Sequence, residues 1–415
     1  MNRDVAAAVP ATRTALLVFL PFAAGYFLSY LFRSVNAIIS PDLSSEFGLS
    51  ASALGLLTSA YFLGFASLQI PIGLMLDRVG PRRTNSMLLL LAGSGAVVFS
   101  MAGGLAGLLI GRAMIGVGVA ACLMSSIKVF TLWFPLERLP ALTGRMMFVG
   151  GLGAISATVP VEAALGFTDW RGLFLALGVL TFVAAAIVFL CVPEKHEERH
   201  GETFGNQVRG TARVFVSPAF WKIALGTTVF QSLNMAVQGL WAGPWLIDVA
   251  KLDRQAAAFH LLALGVSTMC GFLFWGVLAA RLSRRGITPM KVLIVACGLY
   301  MCVQCLLVFG ASQFALLIWI GWGLFGTSGS LAFAIISQEF PVNLTGRATT
   351  ALNLLVFLTA FASQWAFGAI VNQWPAVGGG YQPHGYAVAF GAFLALEVGG
   401  FIWLLKHRHR QQSPA

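Results

Sequence analysis

The sequence predicts an all-α integral membrane protein, with twelve transmembrane helices arranged as two six-helix bundles. Three observations carry this reading. The chain has 415 residues, 58% of them hydrophobic and only 10% charged, and its mean hydropathy is +0.83. Soluble domains carry roughly 25% charged residues, so this chain has too little charge to cover a water-facing surface. Second, the apolar residues come in runs of about 20 or more, the length a helix needs to cross the hydrocarbon. The alternation of about ten residues expected of transmembrane strands is not found. Third, a short charged hinge recurs. Gly73-Leu-Met-Leu-Asp77-Arg78-Val-Gly80-Pro81-Arg82-Arg83 is followed, 203 residues later, by Gly276-Val-Leu-Ala-Ala280-Arg281-Leu-Ser283-Arg284-Arg285, with Gly on Gly and Arg on Arg.

The predicted spans, in order, are 14–39, 51–76, 84–106, 108–132, 145–166 and 172–192. They continue with 220–249, 256–280, 289–310, 314–337, 345–371 and 386–405. The one long polar stretch, which includes Glu194-Lys-His-Glu-Glu-Arg-His200, falls between the sixth and seventh. It divides the chain into a bundle over 1–193, a solvated linker over 194–218 and a second bundle over 219–415.

Basic residues orient the spans. With the N-terminus in the cytoplasm, all but five of the 26 Lys and Arg fall on the cytoplasmic side. Arg171, Lys251 and Arg254 lie outside, and Arg33 and Arg112 lie within spans. The positive-inside rule then places both termini in the cytoplasm of a multi-pass inner-membrane protein. The net charge of +11 reads as this orientation signal and not as a nucleic-acid surface. No cofactor or metal motif is found. The six cysteines fall in apolar runs, and the CxxC of Cys302 and Cys305 has no second Cys or His pair beside it.

Charges inside the hydrocarbon are costly and mark function. Arg33 lies about 10 Å past the middle of the first span, and Arg112 about 12 Å to the same side in the fourth. Glu162 lies about 10 Å out in the fifth. Two Arg against one Glu leave a positive charge over, which suits an anion, although Arg112 or Arg33 could instead form a structural ion pair with Glu162. Tyr26, Tyr30 and Arg33 are spaced four then three and share a helical face. A guanidinium there can hold a carboxylate bidentately. In the seventh span Gln231, Asn234, Gln238, Trp241 and Trp245 alternate by three and four, so one polar and aromatic face is expected toward a central cavity. Asn353 and Gln364 share a face of the eleventh span and are further candidates. His260 reads as an interfacial side chain, Lys128 as a snorkelling one, and Glu397, in the middle of the twelfth span, has no assigned role.

The halves share a second element. Phe134-Pro135 before Gly144-Arg145 matches Phe340-Pro341 before Gly346-Arg347, each between the fourth and fifth spans of its half. Two parallel six-span repeats match one transporter architecture. With the hinge, this pattern resembles the major facilitator superfamily over nearly the whole chain. Tyr30-Leu-Phe-Arg33-Ser-Val-Asn36, Pro41, Ser59-Ala-Tyr-Phe-Leu-Gly-Phe65 and Gln69-Ile-Pro71 resemble its organic-anion symporter branch, in which the first-helix Arg binds the substrate anion. Two positions depart from that branch: Phe32 stands where an Asp is frequent, and Val119 where the fourth-helix acid is expected. Arg112 resembles the fourth-helix Arg of proton-coupled members. Glu162 is then the candidate exchangeable acid, tuned by Arg112. The fifth span, Gly150-Gly-Leu-Gly153, lacks the Gly-Pro-x-x-Gly-Gly element of drug antiporters. In the superfamily the hinge abuts the start of the eleventh helix. The resemblance therefore implies a conformational latch of Gly73, Asp77, Arg78, Gly80, Arg82 and Arg83, with Asp77 capping that helix when the cytoplasmic side shuts.

The sequence thus points to a monomeric secondary transporter in the lipid bilayer, taking up a small organic anion by alternating access with a proton or other cation as coupling partner. No P-loop for ATP is found. The alternatives are proton-coupled efflux of drugs or metabolites, and a non-transporting sensor, which would be expected to carry an appended cytoplasmic domain. No nucleophile–base pair suggests an enzyme.

Overall fold

The computed structural model describes residues 15–135, 138–194, 204–376 and 380–407. Thr14, the charged run 195–200 and both chain ends lie outside the described residues. Helices account for each of the twelve predicted spans. Among the described residues nine helices are long and apolar enough to cross a membrane, or ten with the bent pair Ala51–Ser67 and Pro71–Arg78 counted as one span. The third span, Pro81–Ser100, falls short because its first turn carries Arg82 and Arg83.

Several spans are broken, and their sequences say why. The second bends by 53° at Pro71, which has no N–H to donate and whose ring crowds the preceding turn. The first divides into Leu20–Ser34 and Asn36–Phe47, with Asn36 donating to Thr58 Oγ1 at 2.9 Å. The fifth divides into Leu139–Ser156 and Val159–Leu165 just ahead of Pro160. In the seventh, Pro244 cannot donate to the Leu240 carbonyl, and the helix widens into a π-turn over Val237–Trp241.

Within the first bundle the second and fourth spans cross so closely that a β-carbon on Gly116 would overlap the Tyr61 carbonyl oxygen. Between the bundles, Phe65 of the second span stacks on Phe357 of the eleventh at 4.1 Å. Gly243 of the seventh lies directly against the Ala37 carbonyl of the first. The segment expected as a solvated linker contains a helix, Phe204–Val216. Val214 on it is fully buried, and Gly210 lies against the Arg347 guanidinium of the eleventh span. Thr211 and Val214, three residues apart, supply the buried face that docks it.

Candidate functional site

Between the two bundles lies a cavity of about 250 Å³, walled by the first, fifth, seventh and eighth spans. Its walls are mostly apolar, with Met147, Phe148, Leu261, Leu264, Met269 and Phe272 among them. Tyr30, Ser34, Thr158, Gln238 and Thr268 supply polar groups, and Arg33 is the one charged residue in the lining among the described residues. Arg33 sits over the Tyr30 ring at 4.0 Å in a cation–π contact. No carboxylate among the described residues pairs with it. Tyr26 lies one turn below, edge-on to Tyr30 at 5.1 Å, with its hydroxyl toward Met147 Sδ at 3.5 Å. The three residues that share a helical face by spacing therefore do form one continuous surface, of which Tyr30 and Arg33 reach the cavity.

Arg112 is fully buried behind this surface. It donates from Nη1 to the Phe32 carbonyl at 2.9 Å and lies 5.3 Å over Tyr61. It does not meet Glu162. The expected Arg112–Glu162 pairing is replaced by a different one, because Glu162 turns to the end of the molecule where the eighth span begins. There Arg254 donates to Glu162 from Nε at 3.0 Å and from Nη2 at 3.3 Å. The same guanidinium grips Asp42 of the first span, Nη1 to Oδ1 at 2.6 Å and Nη2 to Oδ2 at 2.9 Å. One Arg of the second bundle thus clasps two carboxylates of the first. Sequence reasoning treated Arg254 as a loop charge. The signal present was Asp253, whose side chain caps the eighth span at Ala256 N and so fixes Arg254 in its first turn.

The seventh-span stripe divides. Gln238 lines the cavity and donates to Thr268 Oγ1 at 3.0 Å and to Asn234 Oδ1 at 3.1 Å. Asn234 and Gln231 are buried behind it. Trp241 does not face the cavity as expected. It is fully buried, stacks on Phe367 at 5.0 Å and donates to the Gln364 carbonyl at 3.1 Å. The π-turn that contains Trp241 alters the helical phase after Gln238, which the three-four spacing cannot register. Asn353 also lies off the cavity, donating to Gln69 Oε1 across the bundle boundary at 2.8 Å.

The hinge packs against its own bundle. Asp77 pairs with Lys128 at 3.2 Å and does not cap the eleventh span in this conformation. Arg83 pairs with Glu194 at 3.0 Å, and Arg82 lies over Phe189 at 4.9 Å. Gly80 has φ +88°, which favours glycine in the turn between Arg78 and Pro81. Gly73 sits in the short helix Pro71–Arg78.

A twelve-span helical fold with a central cavity between two repeats defines a membrane transporter. Residues 22–364 match the family model of the Major Facilitator Superfamily, and the chain belongs to that family. It is 25% identical over 394 residues to the "Probable L-galactonate transporter" of Escherichia coli K12, covering 87% of this chain and 83% of that one. It is 27% identical over 275 residues to the "Probable sulfoacetate transporter SauU" of Cupriavidus necator, covering 63% and 64%. To the hexuronate transporter of Escherichia coli K12 it is 27% identical over 217 residues, covering 48% and 50%. These last two matches span less than two thirds of the relatives' own length. Among solved structures, an inward-facing bacterial homologue of the human lysosomal transporter Spinster superposes with a TM-score of 0.75 at 17% identity, covering 98% of this chain and 100% of that one. A D-xylose–proton symporter gives 0.73 at 16%, covering 94% and 97%. The chain is a multi-pass membrane transporter and not an enzyme.

Proposed function

We propose that this transporter carries a small organic anion of the carboxylate class into the cell across the inner membrane, by ion-coupled alternating access. One observation carries the reading: among the described residues the cavity between the bundles has a single charged side chain in its lining, Arg33, and no carboxylate to neutralise it. An unpaired guanidinium in an apolar-walled site favours an anionic ligand and rejects a cationic one. The relatives named for L-galactonate, sulfoacetate and hexuronate support the class, since each of those compounds carries a carboxylate. Tyr30, Gln238, Thr268 and Ser34 offer hydrogen bonds to the remainder of the molecule, and Arg112 positions Arg33 through the adjacent Phe32 carbonyl. The excess of Lys and Arg at the hinge end supports a cytoplasmic placement for that end and for both termini. Glu162 is the coupling acid in this reading, but with Arg254 as its partner. Its protonation removes one of the two carboxylates in the clasp and loosens that end.

Isothermal calorimetry of the purified protein with L-galactonate, sulfoacetate and galacturonate tests the proposal. Binding of at least one acid, with none of the neutral amide of L-galactonate or galacturonate, is the expected result. Equal binding of acid and amide would sink it. Efflux stands as the second reading, because a quinolone resistance transporter of Acinetobacter baumannii is 23% identical over 177 residues. Fluoroquinolone binding in the same titration would favour it.

A further inference from the structure

The twelfth span carries a carboxyl group that no function described so far uses. Glu397 is fully buried, and neither of its oxygens has a hydrogen-bond partner. No charged side chain among the described residues faces it. Its titratable neighbours are Tyr300 and Cys297 of the ninth span. The seventh span faces this region with Phe230, whose ring lies 6.2 Å from that of Tyr300. The Tyr300 hydroxyl is also buried and unpartnered. An ionised carboxylate without a counter-charge is far more costly in such a site than a neutral acid with unmade hydrogen bonds. Glu397 is therefore held as the neutral acid in this conformation.

A polar thread runs from the cavity to this acid. Gln238 lines the cavity and bonds Asn234 at 3.1 Å. The Asn234 amide and the edge of the Tyr300 ring both close on the space that a side chain at Gly326 of the tenth span would fill. Tyr300 stands one turn before Gln304, whose Nε2 donates to the Phe390 carbonyl at 2.9 Å, so the ninth span packs along the helix that carries Glu397. One turn from Asn234, the Gln231 Nε2 is a further buried donor without an acceptor. Unpartnered polar groups are rare in a packed helical interior. Here three of them, on Gln231, Tyr300 and Glu397, stand beyond the bonded pair of Gln238 and Asn234 that starts at the cavity.

We propose that Glu397 is a proton-binding site of the second bundle, loaded and unloaded from the central cavity along Gln238, Asn234 and Tyr300. Unloading leaves a carboxylate on Glu397 and delivers one proton to cavity water. The site binds its proton when the bundle is packed dry and releases it when a change of facing admits water to the thread. It is separate from the Glu162–Arg254 pair, which joins the two bundles at one end. The proton-binding claim stands on this geometry alone, and its use in coupling rests on the anion-transport reading.

Infrared spectroscopy of the purified full chain reads the proton directly, without substrate. At neutral pH the wild type and Glu162→Gln should show the carbonyl band of a buried carboxylic acid. The band should be lost in Glu397→Gln, and in the wild type it should disappear reversibly as the pH is raised. A wild type without that band, or a band that Glu397→Gln retains, overturns the proposal. Tyr300→Phe, which keeps the ring, should slow deuterium exchange of the acid; unchanged exchange removes the path. In proteoliposomes, with L-galactonate as probe, Glu397→Gln should keep counterflow and lose accumulation driven by an inward proton gradient. Undiminished accumulation overturns the coupling role. If wild-type vesicles carry none of L-galactonate, sulfoacetate or galacturonate, the anion reading falls while the infrared result still decides the proton site. Should Glu397→Gln fail to fold, the wild-type titration and the Tyr300→Phe exchange decide it.

Discussion

Arg254 of the eighth span holds Glu162 of the fifth with two hydrogen bonds, at 3.0 and 3.3 Å, across the boundary between the bundles. The same guanidinium is bidentate to Asp42. All three side chains are partly exposed, at 39% for Arg254, so water screens the attraction. The clasp contributes about 1 kcal/mol on that basis, enough for about a fivefold shift between facings. Arg254→Gln should raise labelling of a cysteine at Thr158 by an impermeant maleimide added on the Asp42 side. Glu162→Gln should raise it less, because Asp42 still holds Arg254, and should weaken its dependence on pH. Identical labelling in all three proteins would make the clasp a structural contact only.

Arg33→Ala should abolish binding of the anion by calorimetry. Arg33→Lys should weaken it by about tenfold, equivalent to about 1.4 kcal/mol, since the ammonium keeps the charge and loses the planar fork. Full affinity in a folded Arg33→Ala protein would place the anion site elsewhere.

Gln238 and Trp241 stand one turn apart and should behave differently. Gln238→Ala removes a cavity donor together with its bonds to Asn234 and Thr268, and should lower affinity by about 1 kcal/mol and stability by about 1–3 kcal/mol. Trp241→Ala empties a buried, stacked position and should destabilise the protein by about 3–5 kcal/mol. Parallel thermal-melt and binding assays on the two variants separate the roles.

Asp77 is expected to exchange Lys128 for the first turn of the eleventh span when the hinge end shuts. A carboxylate at a helix N-terminus is worth about 0.3–2 kcal/mol. Asp77→Asn should slow transport and increase cysteine labelling of the cavity from the hinge side. Unaltered labelling and transport would reduce the hinge to an orientation signal.

The twelve spans and the duplication of the hinge were legible in the chain itself, whereas the breaks at Pro71 and Pro160 appeared only in the structure. Lipid imposes a length and a polarity on every crossing segment, and those constraints are local. The shared face of Tyr26, Tyr30 and Arg33 was legible for the same reason, since an unbroken helix converts spacing into direction. The stripe from Gln231 to Trp241 failed halfway because a π-turn shifted the phase within it. Which charge meets which was not legible at all. Arg112 and Glu162 appeared matched by depth, yet depth leaves the rotation of each helix free, and packing turned one toward Phe32 and the other toward Arg254. Glu397 stood out in the sequence as a lone acid. Only the tertiary structure buried it, unpartnered like the Tyr300 hydroxyl, in the packing between the ninth and twelfth spans. Sequence alone thus determined what crosses the membrane. Contacts between helices distant in the chain depend on how each rotates against its neighbours, and that was decided by three-dimensional packing.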